Sequence, residues 1–259
     1  MREKILACIR HAGKLEVTPQ FARQVLSLID LTSLGDQDTE GSITLLLARA
    51  NLPQGHVAAV CVYPQFINCA SAVLTGTPVK IATVANFPLG MSSIDEVTHS
   101  IKNALAAGAQ EIDVVFPYGR YLAGDKLGAM QFIRQCKEAC GDALLKVILE
   151  TAAYSHLQTV ADVSQDAILA GADFLKTSTG KMAIGATPEA AAAMLMVIRD
   201  MKHTVKRNLG FKAAGGIRTL EQAASYVALA NHILGPDWVK PATFRLGASQ
   251  LMEVVASTL

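Results

Sequence analysis

A chain of 259 residues, 51% of them hydrophobic, is longer than one ordinary domain needs, yet it falls in the range that a single α/β barrel uses whole. With 23 Lys and Arg against 22 Asp and Glu, the formal net charge is +1, so no overall field favours nucleic acid or an anionic membrane. The partner to expect is a small molecule.

The chain opens Met1-Arg2-Glu3-Lys4, followed by Ile5 to Ile9, which mixes charges of both signs and is too short an apolar run for a signal peptide. No stretch approaches the ~20 apolar residues of a membrane span. A cytoplasmic location is the expectation. The five cysteines (Cys8, Cys61, Cys69, Cys136, Cys140) are odd in number and scattered, which suits reduced thiols. Cys136 and Cys140 are spaced as zinc ligands on one helix face could be, but no His pair follows, so a buried helix face is favoured over a metal.

Short apolar runs rich in β-branched residues alternate with longer alanine-rich segments of helical spacing. In chain order the predicted strands are residues 27–34, 57–63, 80–87, 111–116, 144–150, 173–177, 209–213 and 243–247. Helix starts between them carry their own signals. Ser93 stands three residues before Glu96 and Thr219 three before Gln222, both capping-box spacings, and Thr187-Pro188-Glu189 supplies a cap, a first-turn proline and an acid. The glycines of Ala107-Gly108-Ala109 and Ala170-Gly171-Ala172 suit helix C-termini ahead of a strand. Eight strands recurring about every 31 residues leave room for one crossover helix each, the rhythm of a (β/α)8 TIM barrel. A doubly wound sheet would carry a glycine-rich loop after its first strand, where Leu31 to Asp36 holds one glycine. With no linker-like segment, the expectation is one barrel domain over residues 1–259 with a short N-terminal helical extension.

Strand alternation then sorts the charges. If Ile112, Val114 and Phe116 face the helices, Asp113 faces the barrel axis, and the same parity turns Asp30, Lys146, Glu150, Lys176 and Lys212 inward. Buried charges are costly unless paired, so such a collection reads as a functional site or as an internal salt-bridge lattice. Two lysines on neighbouring strands favour the first. An unperturbed lysine is neutral to roughly one part in 2,500 at pH 7, whereas a second ammonium nearby opposes its protonation and readies the amine as a nucleophile.

Glycine-rich loops follow the same strands. Thr177-Ser178-Thr179-Gly180-Lys181 comes after one and Ala214-Gly215-Gly216-Ile217-Arg218 after the next, while the last strand runs Arg245-Leu246-Gly247-Ala248-Ser249 into a final helix. Glycines admit backbone N–H groups to an anion, lysine and arginine add charge, and a helix N-terminus adds its dipole. Barrels often build a phosphate site from the loops after the seventh and eighth strands. Met182 after Gly180-Lys181 excludes a Walker motif.

The string Asp173-Phe174-Leu175-Lys176-Thr177-Ser178-Thr179-Gly180-Lys181 resembles the Schiff-base segment of the deoxyribose-phosphate aldolases, a family of class I aldolases. Other stretches agree in order: Ile29-Asp30-Leu31-Thr32, Cys61-Val62-Tyr63-Pro64, Asn86-Phe87-Pro88, Glu111 to Pro117, Leu145 to Glu150 and Gly210 to Gly216. The resemblance covers about Ile29 to Ser249. It implies reversible cleavage of 2-deoxy-D-ribose 5-phosphate to D-glyceraldehyde 3-phosphate and acetaldehyde, in deoxyribonucleoside breakdown. It implies that Lys176 carries the imine, that Lys212 lowers its pKa and that Asp113 relays protons through an ordered water. Asp30, Thr32, Thr179, Gly180, Lys181, Gly215, Gly216, Arg218, Gly247 and Ser249 become the expected substrate and phosphate contacts. No metal or organic cofactor is implied, and a homodimer is. Gln250 departs from the bacterial pattern, which has a second serine there. Another Schiff-base barrel, such as a transaldolase or ketose-phosphate aldolase, would share the lysine and the phosphate site. A non-catalytic phosphosugar-binding barrel would keep the glycine loops without needing Lys176, Lys212 and Asp113 together.

Overall fold

The computed structural model describes residues 1–259. Eight parallel strands close into a barrel: β1 (Ile29–Thr32), β2 (Ala59–Val62), β3 (Lys80–Ala85), β4 (Glu111–Val115), β5 (Leu144–Ile148), β6 (Phe174–Lys176), β7 (Gly210–Ala214) and β8 (Phe244–Ala248). Each pairs with its sequence neighbours, and β8 closes on β1 with Asp30 beside Gly247. This is the expected (β/α)8 barrel.

Eleven helices surround and extend it: α1 (Arg2–His11), α2 (Pro19–Leu28), α3 (Glu40–Ala48), α4 (Ile67–Leu74), α5 (Ile94–Ala106), α6 (Tyr118–Leu122), α7 (Lys126–Cys140), α8 (Leu157–Leu169), α9 (Pro188–Met201), α10 (Leu220–Leu234) and α11 (Leu251–Thr258). The N-terminal extension is α1, which buries Ile5 and packs on α9 and α10. None of the helices is long and apolar enough to cross a membrane. Ser93 and Thr219 form the capping boxes that their spacing predicts, and Thr187 caps the Pro188 helix by accepting from the Ala190 N–H. Gly108 and Gly171 have φ of 110° and 116° at helix C-termini, a region a β-carbon disfavours. Cys136 and Cys140 are buried on α7, and burial pushes the Cys140 thiol up to about 12.

Several boundaries differ: β3 ends at Ala85 and β5 at Ile148, which leaves Glu150 beyond its expected strand. The first strand begins at Ile29, because Ser27 and Leu28 complete the last turn of α2. Between α3 and β2 lies an antiparallel ribbon of Asn51–Leu52 and Gly55–His56, too short to leave a periodic signal.

The alternation of the strands divides two cores. Outward residues such as Ile112, Val114, Phe116, Val147 and Phe211 join the large apolar layer between strands and helices. Inside the barrel, β2 and β3 contribute a small apolar sector of Ala59, Cys61, Ala82 and Val84 with Leu34 above them. The charged side chains come from the rest of the interior, from β4 round to β1.

Candidate active site

Each strand from β4 to β8, and β1, aims a charged side chain at the barrel axis. Asp30, Glu111, Asp113, Lys146, Lys176, Lys212 and Arg245 are all buried. Parity predicts five of these. Glu111 shares the parity of Asp113, and that i, i+2 relation was the available signal for it. Arg245, grouped in the sequence with the anion-binding segment of the last strand, instead points to the barrel floor. Its guanidinium contacts Asp30 at 2.6 Å and Glu111 at 2.9 Å and lies 5.7 Å from the centre of the Phe174 ring. Gly210 is small because a β-carbon there would run into that ring.

Above this floor the lysines are layered. Lys146 Nζ sits 2.7 Å from Glu111, 2.8 Å from Asp113 and 3.4 Å from Asp30. Lys212 Nζ sits 2.6 Å from Asp30 and 2.8 Å from Asp113 Oδ2. Lys176, the last residue of β6, has one carboxylate partner, the same Asp113 Oδ2 at 2.8 Å. Gly247 leaves room for this layer, since a β-carbon on it would stand 2.9 Å from Lys212 Cε.

The partners decide the protonation states. Burial opposes the charge of Lys146 and Lys212, but the carboxylates around each outweigh it and hold both above the ordinary lysine range. Burial also opposes the charge of Asp113, and the ammoniums of Lys146, Lys176 and Lys212 nonetheless hold its carboxyl well below the usual range. Lys176 goes the other way. Burial lowers its pKa, the Lys212 ammonium adds to this, and Asp113 offsets them only in part. Asp113 therefore stands among lysines, while the residues on either side of it, Ile112 and Val114, face the outer apolar layer.

Over Lys176 opens a cavity of about 310 Å³. Lys176, Thr32, Thr179, Gly180, Lys181, Gly215, Gly216, Arg218, Gly247 and Ser249 line it, so ten residues singled out from sequence converge there, with Gln250 beside them. Asp113 lies beneath, in contact with Lys176, and Lys212 is joined to it through Asp113. Asp30 is not brought to the cavity; it is locked between Arg245 and Lys212. The loops after β6 and β7 interlock, with Ala186 N–H donating to the Gly215 carbonyl at 3.0 Å and no space for a β-carbon at Gly185 or Gly215. Of the two cations on the rim, Lys181 pairs with Asp36 at 3.1 Å, while Arg218 is exposed and makes no side-chain ion pair. The rim can therefore take an anion, and the floor of the cavity presents an amine with a lowered pKa.

An amine so prepared beneath an anion-accepting rim is the equipment of an enzyme that makes or breaks carbon–carbon bonds next to a carbonyl, an aldolase. The chain belongs to the DeoC/LacD aldolase family, whose model matches residues 25–245. Among solved structures it is similar to a protein of Coccidioides immitis described as a candidate deoxyribose-phosphate aldolase, with 29% identity, a TM-score of 0.81, and 100% of this chain and 98% of that one covered. It is similar to QR15, an aldolase, at 27% identity and a TM-score of 0.72, covering 90% of this chain and 95% of that one. The tetrameric deoxyribose phosphate aldolase of Aeropyrum pernix shares the fold, at 24% identity and a TM-score of 0.75 over 99% of this chain and 97% of that one.

Proposed function

We propose that the chain is a class I aldolase that cleaves 2-deoxy-D-ribose 5-phosphate reversibly to D-glyceraldehyde 3-phosphate and acetaldehyde. The observation that carries the reading is Lys176, a lysine with a lowered pKa at the foot of a cavity whose rim can take a phosphate. The neutral amine adds to C1 of the open-chain sugar, and the carbinolamine loses water to give a protonated imine. The C3 hydroxyl then gives up its proton as the C2–C3 bond breaks, which releases the phosphorylated aldehyde and leaves an enamine. Protonation at C2 and hydrolysis return acetaldehyde and the free lysine.

Asp113 touches Lys176 and two other lysines, so its carboxylate is too well stabilised to act as a free-standing base. It exchanges protons in concert with a neighbouring ammonium, which fits a relay. The phosphate binds to the rim formed by Gly180, Gly215, Gly216, Arg218, Gly247 and Ser249, where remote binding energy holds C1 against the amine. With the sequence resemblance, the reading carries a cytoplasmic role in deoxyribonucleoside breakdown, no metal or organic cofactor, and a homodimer.

The test is product analysis of purified protein supplied with 2-deoxyribose 5-phosphate. Equal amounts of acetaldehyde and glyceraldehyde 3-phosphate are expected. Turnover of ketose phosphates alone would assign the site to another Schiff-base aldolase, and binding without turnover to a phosphosugar-binding protein.

A further inference from the structure

Glu150 lies two residues beyond the end of β5, at the mouth of the barrel, and the steps outlined above leave it without a role. Its backbone is left-handed, with φ of 56° and ψ of 62°, and Asn86 is the only other non-glycine residue with a positive φ. Asn86 is a residue type that tolerates this region, and its amide joins two segments, donating to the Val115 carbonyl and accepting from the Ser92 N–H. Glutamate has no such tolerance. Its side chain is buried, and one carboxylate oxygen, Oε1, has no partner in the chain. A strained backbone and a half-satisfied buried acid both work against folding, which points to a use for this side chain other than stability.

The other oxygen reaches the anion-accepting loop. Glu150 Oε2 accepts from both the hydroxyl and the backbone N–H of Thr179, at 2.5 and 3.3 Å. The Thr179 hydroxyl oxygen accepts in turn from the Lys181 N–H at 3.1 Å. A chain of hydrogen bonds thus runs from the buried carboxylate through Thr179 to Lys181, and Thr179, Gly180 and Lys181 all line the cavity. The two segments are already joined by the Thr151 N–H donating to the Thr177 carbonyl, so the carboxylate is not needed to attach the loop. What it adds is a pair of hydrogen bonds to Thr179, at the start of the turn to Lys181.

We propose that Glu150 is a positioning residue that sets the Thr179–Lys181 turn, and through it the preference of the site for a phosphorylated over an unphosphorylated sugar. This rests on the phosphosugar reading of the cavity.

The experiment compares wild type, Glu150→Gly and Glu150→Gln. Glycine accommodates the left-handed backbone but lacks the acceptor, so Glu150→Gly is expected to fold, as circular dichroism will report. Glutamine keeps a carbonyl oxygen for Thr179. Borohydride trapping with acetaldehyde, which carries no phosphate, reads imine formation alone, and steady-state kinetics are taken on 2-deoxyribose 5-phosphate and on 2-deoxyribose. In Glu150→Gly, trapping should not slow, KM for the phosphorylated sugar should rise about tenfold or more, and kcat/KM for 2-deoxyribose should change little. Glu150→Gln should recover most of the loss. Equal losses on both sugars, or an unchanged KM in folded Glu150→Gly, would overturn the proposal. A wild type that shows no preference for 2-deoxyribose 5-phosphate over 2-deoxyribose would sink the phosphosugar reading and the proposal together.

Discussion

At the floor of the barrel Arg245 is gripped by Asp30 and Glu111, and Lys146 just above it is met by three carboxylates. At the mouth Lys176 has one partner, Asp113, which Lys146 and Lys212 also claim. The residue types are the same, and burial is nearly complete in both regions. What differs is the supply of counter-charge: the lower cations have enough, and the uppermost does not. Four cations share the three carboxylates of the ion-pair network, Glu150 bonding to Thr179 instead, and the cheapest proton to lose is on the lysine with the fewest partners. The floor reads as a salt-bridge lattice and the mouth as prepared chemistry, so the two interpretations open from the sequence each describe one end of the same interior.

Arg245→Met should separate the two regions most sharply. It leaves Glu111 and Asp30 short of a buried partner and should cost about 3–5 kcal/mol of stability. Urea unfolding measures that loss, and imine formation in the remaining folded protein should survive. A stability near wild type would mean that the lattice is not a unit.

Asp113→Asn strikes the residue that the two regions share. Losing its negative charge lowers the pKa of Lys176 further, so imine formation should persist and begin at lower pH, while turnover falls by about 10²-fold or more for want of the relay. Single-turnover trapping set beside steady-state rates tests this split. Near-normal turnover would leave Asp113 a purely structural ion.

Lys212→Leu should move Lys176 the other way. With a like charge gone and Asp113 freed to pair more fully with Lys176, its pKa rises, so the neutral fraction falls at neutral pH and recovers in alkali. Burial is the larger cause of the lowered pKa, so part of the activation should remain in this variant. The pH profile of imine formation reads the shift, and an unmoved profile in folded protein would leave burial as its whole cause.

Arg218→Ala is the mildest case, removing the rim cation that has no ion-pair partner. A charge-assisted contact of about 1.5–3 kcal/mol predicts roughly a tenfold or greater loss of kcat/KM for 2-deoxyribose 5-phosphate and little change for 2-deoxyribose. Equal losses on both substrates would move the phosphate elsewhere.

Much of this contrast is legible in the sequence, because a period of two assigns each strand residue a face. Asp113, Lys146, Lys176 and Lys212 turn inward as their parity requires, and the glycine loops meet over them because they follow adjacent strands. Which charges pair is not legible. Lys212 lies beside Lys176 in register, yet both reach across the barrel to Asp113 on β4, a convergence set by strand tilt and closure rather than by local spacing. Arg245 escaped for a related reason. Lying one residue inside β8, it belongs to the floor, while Gly247 and Ser249, two and four residues on, line the cavity.

The claim that Lys176, the least partnered cation, is the reacting amine has one direct test. Protein incubated with acetaldehyde is reduced with borohydride, digested and mapped by mass spectrometry. The prediction is a single ethyl group on the peptide containing Lys176, absent in Lys176→Ala. An ethyl group found mainly on Lys146, Lys181 or Lys212 would contradict it.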